Sequence, residues 1–434
     1  MKTLIVPLAG LALLLLGQPA LAEEILREES VPVIEMFLAE PETESEDSAA
    51  ASEKEESKSA PKDGAVETTA SKETLVTIGA VGDIMVMPGQ IAYALDEETG
   101  TYDFSKSFQA MRPYLQGPDL MCGNLETTLA GLEAGYTESI SKKGGKQRFS
   151  APDALAQNLL DAGFDVLTTG NNHALDFGFE GVVRTRNVLE QYGFYTTGTY
   201  RTEEERTEPL IVEKNGLKIG IVAATQHHNG YIQDLPVAAR KHTLALLEPE
   251  GGQYLSDIAA CKEAGADFIL AFAHWGKEKQ NQITGSQRIY ADALLEAGAD
   301  VVLGSHPHRV QEIEYRTVER ADGPHTGLVV YSMGNFLSNM LHMPEFFGLY
   351  VQLTVRGIPG EKASLEKVEL LPLVTLAHPD GYWEIHEVIP ALTDPQKIQG
   401  VMPFEPYDLG LIGASRKHIT SLCLTEGVEM MEEP

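Results

Sequence analysis

VVLGSHPHRV, residues 301–310, sets a run of strand-forming apolar residues directly against two histidines, His306 and His308. A valine-rich run of this length, followed by Gly304 and Pro307, reads as a buried strand and then a turn. Imidazole is costly to bury without a partner. A metal, a phosphate or a polar turn must therefore hold both rings. Similar junctions occur at four other places. LVTIGAVGD (75–83) is a strand-like run ending at Asp83, and DLMCGNLETTL (119–129) is another, carrying Asn124 and Glu126. PDALAQNLLDAGFDVLTTGNNH (152–173) reads as helix, glycine break, strand and loop, closing on Asn171, Asn172 and His173. QYLSDIAACKEAGADFILAFAHWG (253–276) is built like SQRIYADALLEAGADVVLGSHPH (286–308), each a helix, an Ala-Gly-Ala-Asp turn, a strand and a histidine. Their likeness predicts two equivalent units of one sheet, the first ending at His274.

Between these units, LIVEKNGLKIGIVAAT (210–225) predicts a hairpin turning at Asn215-Gly216. A helix is predicted over GFEGVVRTRNVLEQYGF (178–194). After residue 309 the pattern changes to strands, in RVQEIEYR, GLVVYSMGNF, YVQLTVR and LEKVELLPLV. The expectation is one α/β layered domain followed by antiparallel strands over 74–377, with a less patterned C-terminal extension at 378–434.

MKTLIVPLAGLALLLLGQPALA (1–22) has a basic start, an apolar stretch and a small-x-small ending, and reads as a secretory signal peptide. An uncleaved anchor is the alternative; either places the protein outside the cell or at its surface. Residues 23–73 contain 16 acidic and 5 basic side chains and few aromatics, the composition of a disordered linker. Cys122, Cys261 and Cys423 are too few and too widely spaced for a disulfide framework. The net charge of −31 argues against nucleic-acid binding through a basic patch.

Ligands of open α/β sheets bind beyond the carboxyl ends of the strands. Here five strand ends carry carboxylate, amide or imidazole groups, a donor set suited to Mn, Fe or Zn. Alone, each has a plain structural explanation: an aspartate caps a helix, a buried histidine bonds to the core. Recurrence at five strand ends predicts a metal site. Around it, SKKGGKQRF holds Lys142, Lys143, Lys146 and Arg148, a basic run able to meet an anionic substrate. His227 and His228 are weaker candidates for the pocket wall, and Trp275 reads as core.

Six motifs together resemble the CapA family of poly-γ-glutamate capsule biosynthesis proteins: VGDIM (81–85), GNLETTL (123–129), TGNNHALDFGFEG (169–181), AHWGKE (273–278), GSHPHRVQEIE (304–314) and YSMGNF (331–336). That family is similar to the calcineurin-like metallophosphoesterases. The resemblance implies a four-layer α/β fold, two β-sheets flanked by helices, and one or two divalent metals at one edge. It implies that Asp83 and His308 bind the first metal and Asn172, His274 and His306 the second. It also implies that His173 protonates the leaving group, with Asp176 orienting it. Two positions depart from the superfamily. Met85 stands where a histidine ligand is usual, and Asn124 stands where a bridging aspartate is usual, with Glu126 two residues on as the alternative bridge. Asn335 is expected to fix a loop beside the metals.

The implied activity is metal-dependent hydrolysis of a phosphoester or amide in capsule or envelope material. The substrate is an anionic polymer or a phosphoester, and membrane-bound capsule synthesis subunits are partners. A non-catalytic scaffold of a capsule export assembly is the competing reading. A nucleotidase, which expects a large second domain, is the weaker third.

Overall fold

The computed structural model describes residues 73–137, 147–248, 252–340, 342–379, 383–398 and 404–433. The expected signal peptide, the linker up to residue 72, and Lys142, Lys143 and Lys146 lie outside the described residues.

The strands in chain order begin with β1 (Thr74–Ile84), β2 (Leu95–Asp96), β3 (Thr101–Tyr102), β4 (Leu120–Leu125), β5 (Val166–Thr168) and β6 (Tyr195–Thr197). Then come β7 (Leu210–Lys214), β8 (Leu217–Thr225), β9 (Phe268–His274), β10 (Val301–Ser305), β11 (Ile313–Arg320) and β12 (Gly323–Val330). The last are β13 (Asn335–Leu337), β14 (Phe347–Gly357), β15 (Ser364–Pro379), β16 (Trp383–Pro390) and β17 (Glu429–Met430). One sheet runs β16-β15-β14-β1-β4-β5-β6, with β13 also beside β1 and β17 beside β15; the second runs β11-β12-β10-β9-β8-β7. β2 and β3 pair with each other.

The period-two alternation of the strands decides the layering. In β1, Val76, Ile78 and Ala80 enter one core with Ile219 and Ile221 of β8, Leu270 of β9 and Leu303 of β10. The opposite face of the first sheet, with Met121 and Leu125, packs on Phe104, Phe108 and the helix Ala154–Ala162. The outer face of the second sheet, with Val222, Ala271 and Val302, packs on the helices Gln253–Glu263 and Gly285–Ala297. The order is helix, sheet, sheet, helix, the four-layer α/β architecture expected above.

The two similar units deliver adjacent parallel strands, with Ser305 of β10 in register with His274 of β9. The hairpin turns at Asn215 and Gly216, both at positive φ, as a two-residue turn between right-twisted strands requires. GLVVYSMGNF departs from its reading as a single strand. Its first part ends β12 in the second sheet, and its last two residues begin β13 in the first. The chain crosses between the sheets through 331–334, with Gly334 at φ 65°. Residues beyond 377 also contribute to the fold. The line drawn at 377 falls inside β15, and Leu411, Ile412 and Ile419 of the helix Pro406–Cys423 join the core between the sheets.

Candidate metal centre

The carboxyl ends of β1, β4, β9 and β10 and the loop after β5 meet at one end of the sandwich. In β1 an extra residue, Gly82, bulges between the pairs Val81–Gly123 and Asp83–Asn124. A bulge re-aims the side chain that follows it, here Asp83, which also registers with Asn335 of β13. The backbone N–H of Glu126 donates to the Ile84 carbonyl at 3.0 Å and holds that residue beside β1. Past β10, His306 and His308 lie at φ 95° and 56°, conformations that cost non-glycine residues about 1–3 kcal/mol each. This backbone brings both imidazoles to the cluster.

Three groups gather on His274 Nε2: Asn172 Oδ1 at 2.8 Å, His306 Nδ1 at 3.1 Å and Glu126 Oε1 at 3.5 Å. His274 Nδ1 is held from behind by the Ser305 hydroxyl at 2.8 Å. Beside this group, His308 Nδ1 lies 3.3 Å from Asp83 Oδ2, 4.0 Å from Glu126 Oε2 and 2.9 Å from Asn335 Oδ1. Two overlapping sets can each hold a metal ion: Glu126, His274 and His306, and Asp83, Glu126 and His308. Glu126 belongs to both.

Burial sets the electrostatics. It drives His274 down to about 3 against the pull of Asp83, and holds His306 well below the usual imidazole range with the help of His274. His308 goes the other way, because Glu126 and Asp83 outweigh its burial and lift it to about 10. Asp83 is also desolvated, yet His308 and His274 hold its carboxyl below the ordinary value. Burial, reinforced by Asp83, lifts Glu126 well above it. Neither oxygen of Glu126 has a hydrogen-bond partner, although the side chain is fully buried. A buried carboxylate without a partner is strongly disfavoured. The neutral imidazoles of His274 and His306 on one side of this carboxyl group, and the Asp83–His308 pair on the other, fit a divalent cation.

Asn124 occupies a different place from the other expected ligands. Its Nδ2 donates to Asp83 Oδ1 at 2.7 Å, while its Oδ1 accepts from Asn171 Nδ2 at 3.2 Å. So oriented, Asn124 braces Asp83. Met85 packs with Met87, Phe149 and Met340 in a small apolar cluster. His173 Nδ1 faces Asp176 Oδ2 at 2.8 Å, and the Phe149 ring meets the imidazole edge-on at 4.5 Å. Burial lowers the His173 pKa, but the Asp176 hydrogen bond and charge reverse this and raise it. Asp176 also accepts the Phe149 N–H at 2.7 Å.

Trp275 is core: it is fully buried and donates to the Tyr331 carbonyl at 2.9 Å. The His227 ring packs against that of His306, with centroids 4.4 Å apart and the planes tilted by 31°. Together with His228 it lines a cavity that reaches His306. Arg148 lies over the Tyr231 ring at 5.3 Å. Ser305, the last residue of β10, and Asn335, the first of β13, hold the two histidine rings in place; Asn335 also donates to the Glu345 carbonyl at 2.9 Å and so fixes that loop, as expected, whereas nothing in the sequence marked Ser305.

Two sheets between helix layers, with carboxylates and imidazoles meeting at their strand ends, define a four-layer α/β sandwich with a candidate metal centre at one edge. Residues 77–340 match the family described as "Bacterial capsule synthesis protein PGA_cap", and the chain belongs to that family. It is 26% identical over 267 residues to "PGA biosynthesis protein CapA" of Bacillus subtilis, covering 61% of this chain and 64% of that protein. It is 26% identical over 266 residues to "Capsule biosynthesis protein CapA" of Bacillus anthracis, covering 60% and 59%. The matched span is thus less than two thirds of either relative. Among solved structures, the chain is similar to the calcineurin-like phosphoesterase YfkN of Bacillus subtilis at 15% identity and a TM-score of 0.38, over 81% of this chain and 99% of that one. It is also similar to the NAD nucleotidase of Haemophilus influenzae at 12% identity and a TM-score of 0.41, over 84% and 58%.

Proposed function

We propose that this protein serves the synthesis of an anionic capsule or envelope polymer, outside the cell or at its surface, as a divalent-metal-dependent hydrolase of phosphoester or amide bonds. Glu126 carries the hydrolase reading, as a fully buried carboxylate without a hydrogen-bond partner, shared by two metal-competent sets. Family membership supports the biological setting, the leader-like residues 1–22 support secretion, and membrane-bound synthesis subunits are the proposed partners.

One or two divalent cations, Mn, Fe or Zn, would supply Lewis-acid charge to the reacting oxygen and acidify water. Asp83, Glu126 and His308 would hold one, and Glu126, Asn172, His274 and His306 the other. Asn124 and Asn335 fix the directions of Asp83 and His308. His173, its Nδ1 engaged by Asp176, keeps Nε2 to deliver a proton to the leaving group. Phe149 shields one edge of that ring from water.

The scaffold reading has one observation in its favour: Met85, standing where the superfamily places an imidazole ligand, packs instead in an apolar cluster with Met87, Phe149 and Met340, and a thioether is in any case a poor ligand for hard divalent ions. Turnover separates the two. Protein loaded with Mn, Fe or Zn is expected to hydrolyse members of a panel of phosphoesters and γ-glutamyl amides. His173→Ala is expected to lower kcat by about 10²–10⁴-fold at unchanged metal content. A metal-loaded wild type that turns over nothing on the panel refutes the hydrolase and leaves the scaffold.

A further inference from the structure

The dipeptide Asn-Gly occurs twice in the chain, at 215–216 and at 229–230. Both copies adopt the same backbone. Asn215 and Gly216 have φ of 52° and 84°, and Asn229 and Gly230 of 51° and 78°. Two successive left-handed residues make the mirror-image turn that favours this dipeptide. The first copy joins β7 to β8. The second lies in the loop after β8, where the Tyr231 N–H closes the turn by donating to the His228 carbonyl at 3.0 Å. Asn229 there forms part of the wall of the cavity beside His306.

Asparagine followed by glycine can react with itself, because glycine has no Cβ to keep its nitrogen from the preceding side-chain amide carbon. The two copies differ in what surrounds those atoms. At the first, the carboxamide is restrained: Asn215 Nδ2 donates to the Leu75 carbonyl and to Asp119 Oδ1, each at 3.1 Å. The residue before it is Lys214. At the second, the residue before is His228, and its Nδ1 accepts the Gly230 N–H at 3.1 Å. An N–H can donate only to a ring nitrogen with a free lone pair, so Nδ1 is the unprotonated nitrogen of that imidazole. A lone pair set on the proton of the attacking nitrogen stands where a general base must stand. Gly230 is exposed, and His228 and Asn229 are half-buried, so water reaches the turn.

We propose that Asn229 is a self-modifying site, at which the Gly230 nitrogen, its proton taken by His228 Nδ1, closes on Asn229 Cγ and expels the side-chain amide as ammonia. The N–Cγ bond forms as the Cγ–Nδ2 bond breaks, and the proton removed from the backbone leaves with the ammonia. Water then opens the cyclic imide at either carbonyl, leaving aspartate or isoaspartate at position 229. One water is consumed and one ammonia released, with no oxidation or reduction. The product adds a negative charge to the cavity wall, and the isoaspartate form also adds a methylene to the backbone of the loop that carries His227. None of these steps involves the metal centre.

The test follows the full chain for several weeks at neutral pH and physiological temperature, both folded and in guanidinium. Peptide mass spectrometry counts aspartate and isoaspartate at positions 229 and 215. In the folded protein, position 229 is expected to convert at least about ten-fold faster than position 215. Unfolding removes both the His228–Gly230 hydrogen bond and the restraint on Asn215, so the two rates converge in guanidinium. In folded His228→Leu the rate at 229 falls about ten-fold, while an unchanged rate at 215 shows that the fold is retained. The two wild-type comparisons decide the matter even where that variant does not fold. Equal rates in the folded wild type, a ratio that guanidinium leaves unchanged, or a folded His228→Leu protein that converts 229 as fast as wild type overturns the site.

Discussion

Glu126 has two roles that oppose each other. In the metal-free protein its carboxyl is desolvated beside Asp83 and held well above its ordinary pKa, so the folded chain binds a proton that the unfolded chain releases. Between the unfolded value of about 4.3 and the raised folded value, the folded state binds more protons, and stability falls as pH rises. Glu126→Gln removes this slope. The metal-free variant is therefore expected to exceed metal-free wild type in denaturant midpoint, by a margin that widens from pH 4 upward, at up to about 1.4 kcal/mol per pH unit within the window. The same variant is expected to lose Mn²⁺ binding. A margin that stays flat or narrows with pH refutes the account. At this scale the sequence was informative about type and position. Asp83, His274, His306 and His308 could be singled out because each ends or follows an apolar run. The choice between Asn124 and Glu126 as the shared ligand was not legible, because it depends on which side chain has its oxygen taken by Asn171.

At the scale of the element, β10 shows how tightly the ligand-bearing strands are set. Gly304 lies against β12, and a Cβ there would fall 2.0 Å from the Tyr331 carbonyl oxygen and 2.7 Å from Trp275 Nε1. Gly304→Ala must push β10 away from its neighbour and move His306 with it. The expected cost is about 2–4 kcal/mol in chemical denaturation, together with weakened metal binding. Wild-type stability in this variant would show that β10 has slack. Helices, strands and the Asn215-Gly216 turn were legible here because periodicity and turn chemistry are local properties. The division of GLVVYSMGNF between two sheets was not, since an apolar run does not say which sheet its halves pair with. Nor did the sequence show the positive φ of His306 and His308, which the surrounding packing imposes.

For the whole molecule, the centre joins the two sheets. Asp83 belongs to the first, and His274 and the turn bearing His306 and His308 to the second. A cation held by Asp83, Glu126 and the histidines would link them, so metal binding is expected to stabilise the fold as well as to serve the chemistry. At a free concentration 100 times Kd, Mn²⁺ or Zn²⁺ should add about 2.7 kcal/mol to unfolding, seen as a higher Tm that a chelator reverses. His306→Ala should show little of this gain. An equal gain in that variant would place the metal elsewhere.

By itself the sequence determined the α/β class, the order of elements, the two equivalent helix–strand units and the residues available to a metal. These follow from side-chain period, turn chemistry and the energetic need to partner buried polar groups, all of which act over a few residues. Only the tertiary structure decided that Glu126 is shared by both sets, that Asn124 braces Asp83, and that His227 and His228 line a cavity beside His306. Those facts depend on distances between segments as much as 223 residues apart in the chain, as Asp83 and His306 are, which sheet register and packing set and no local pattern encodes.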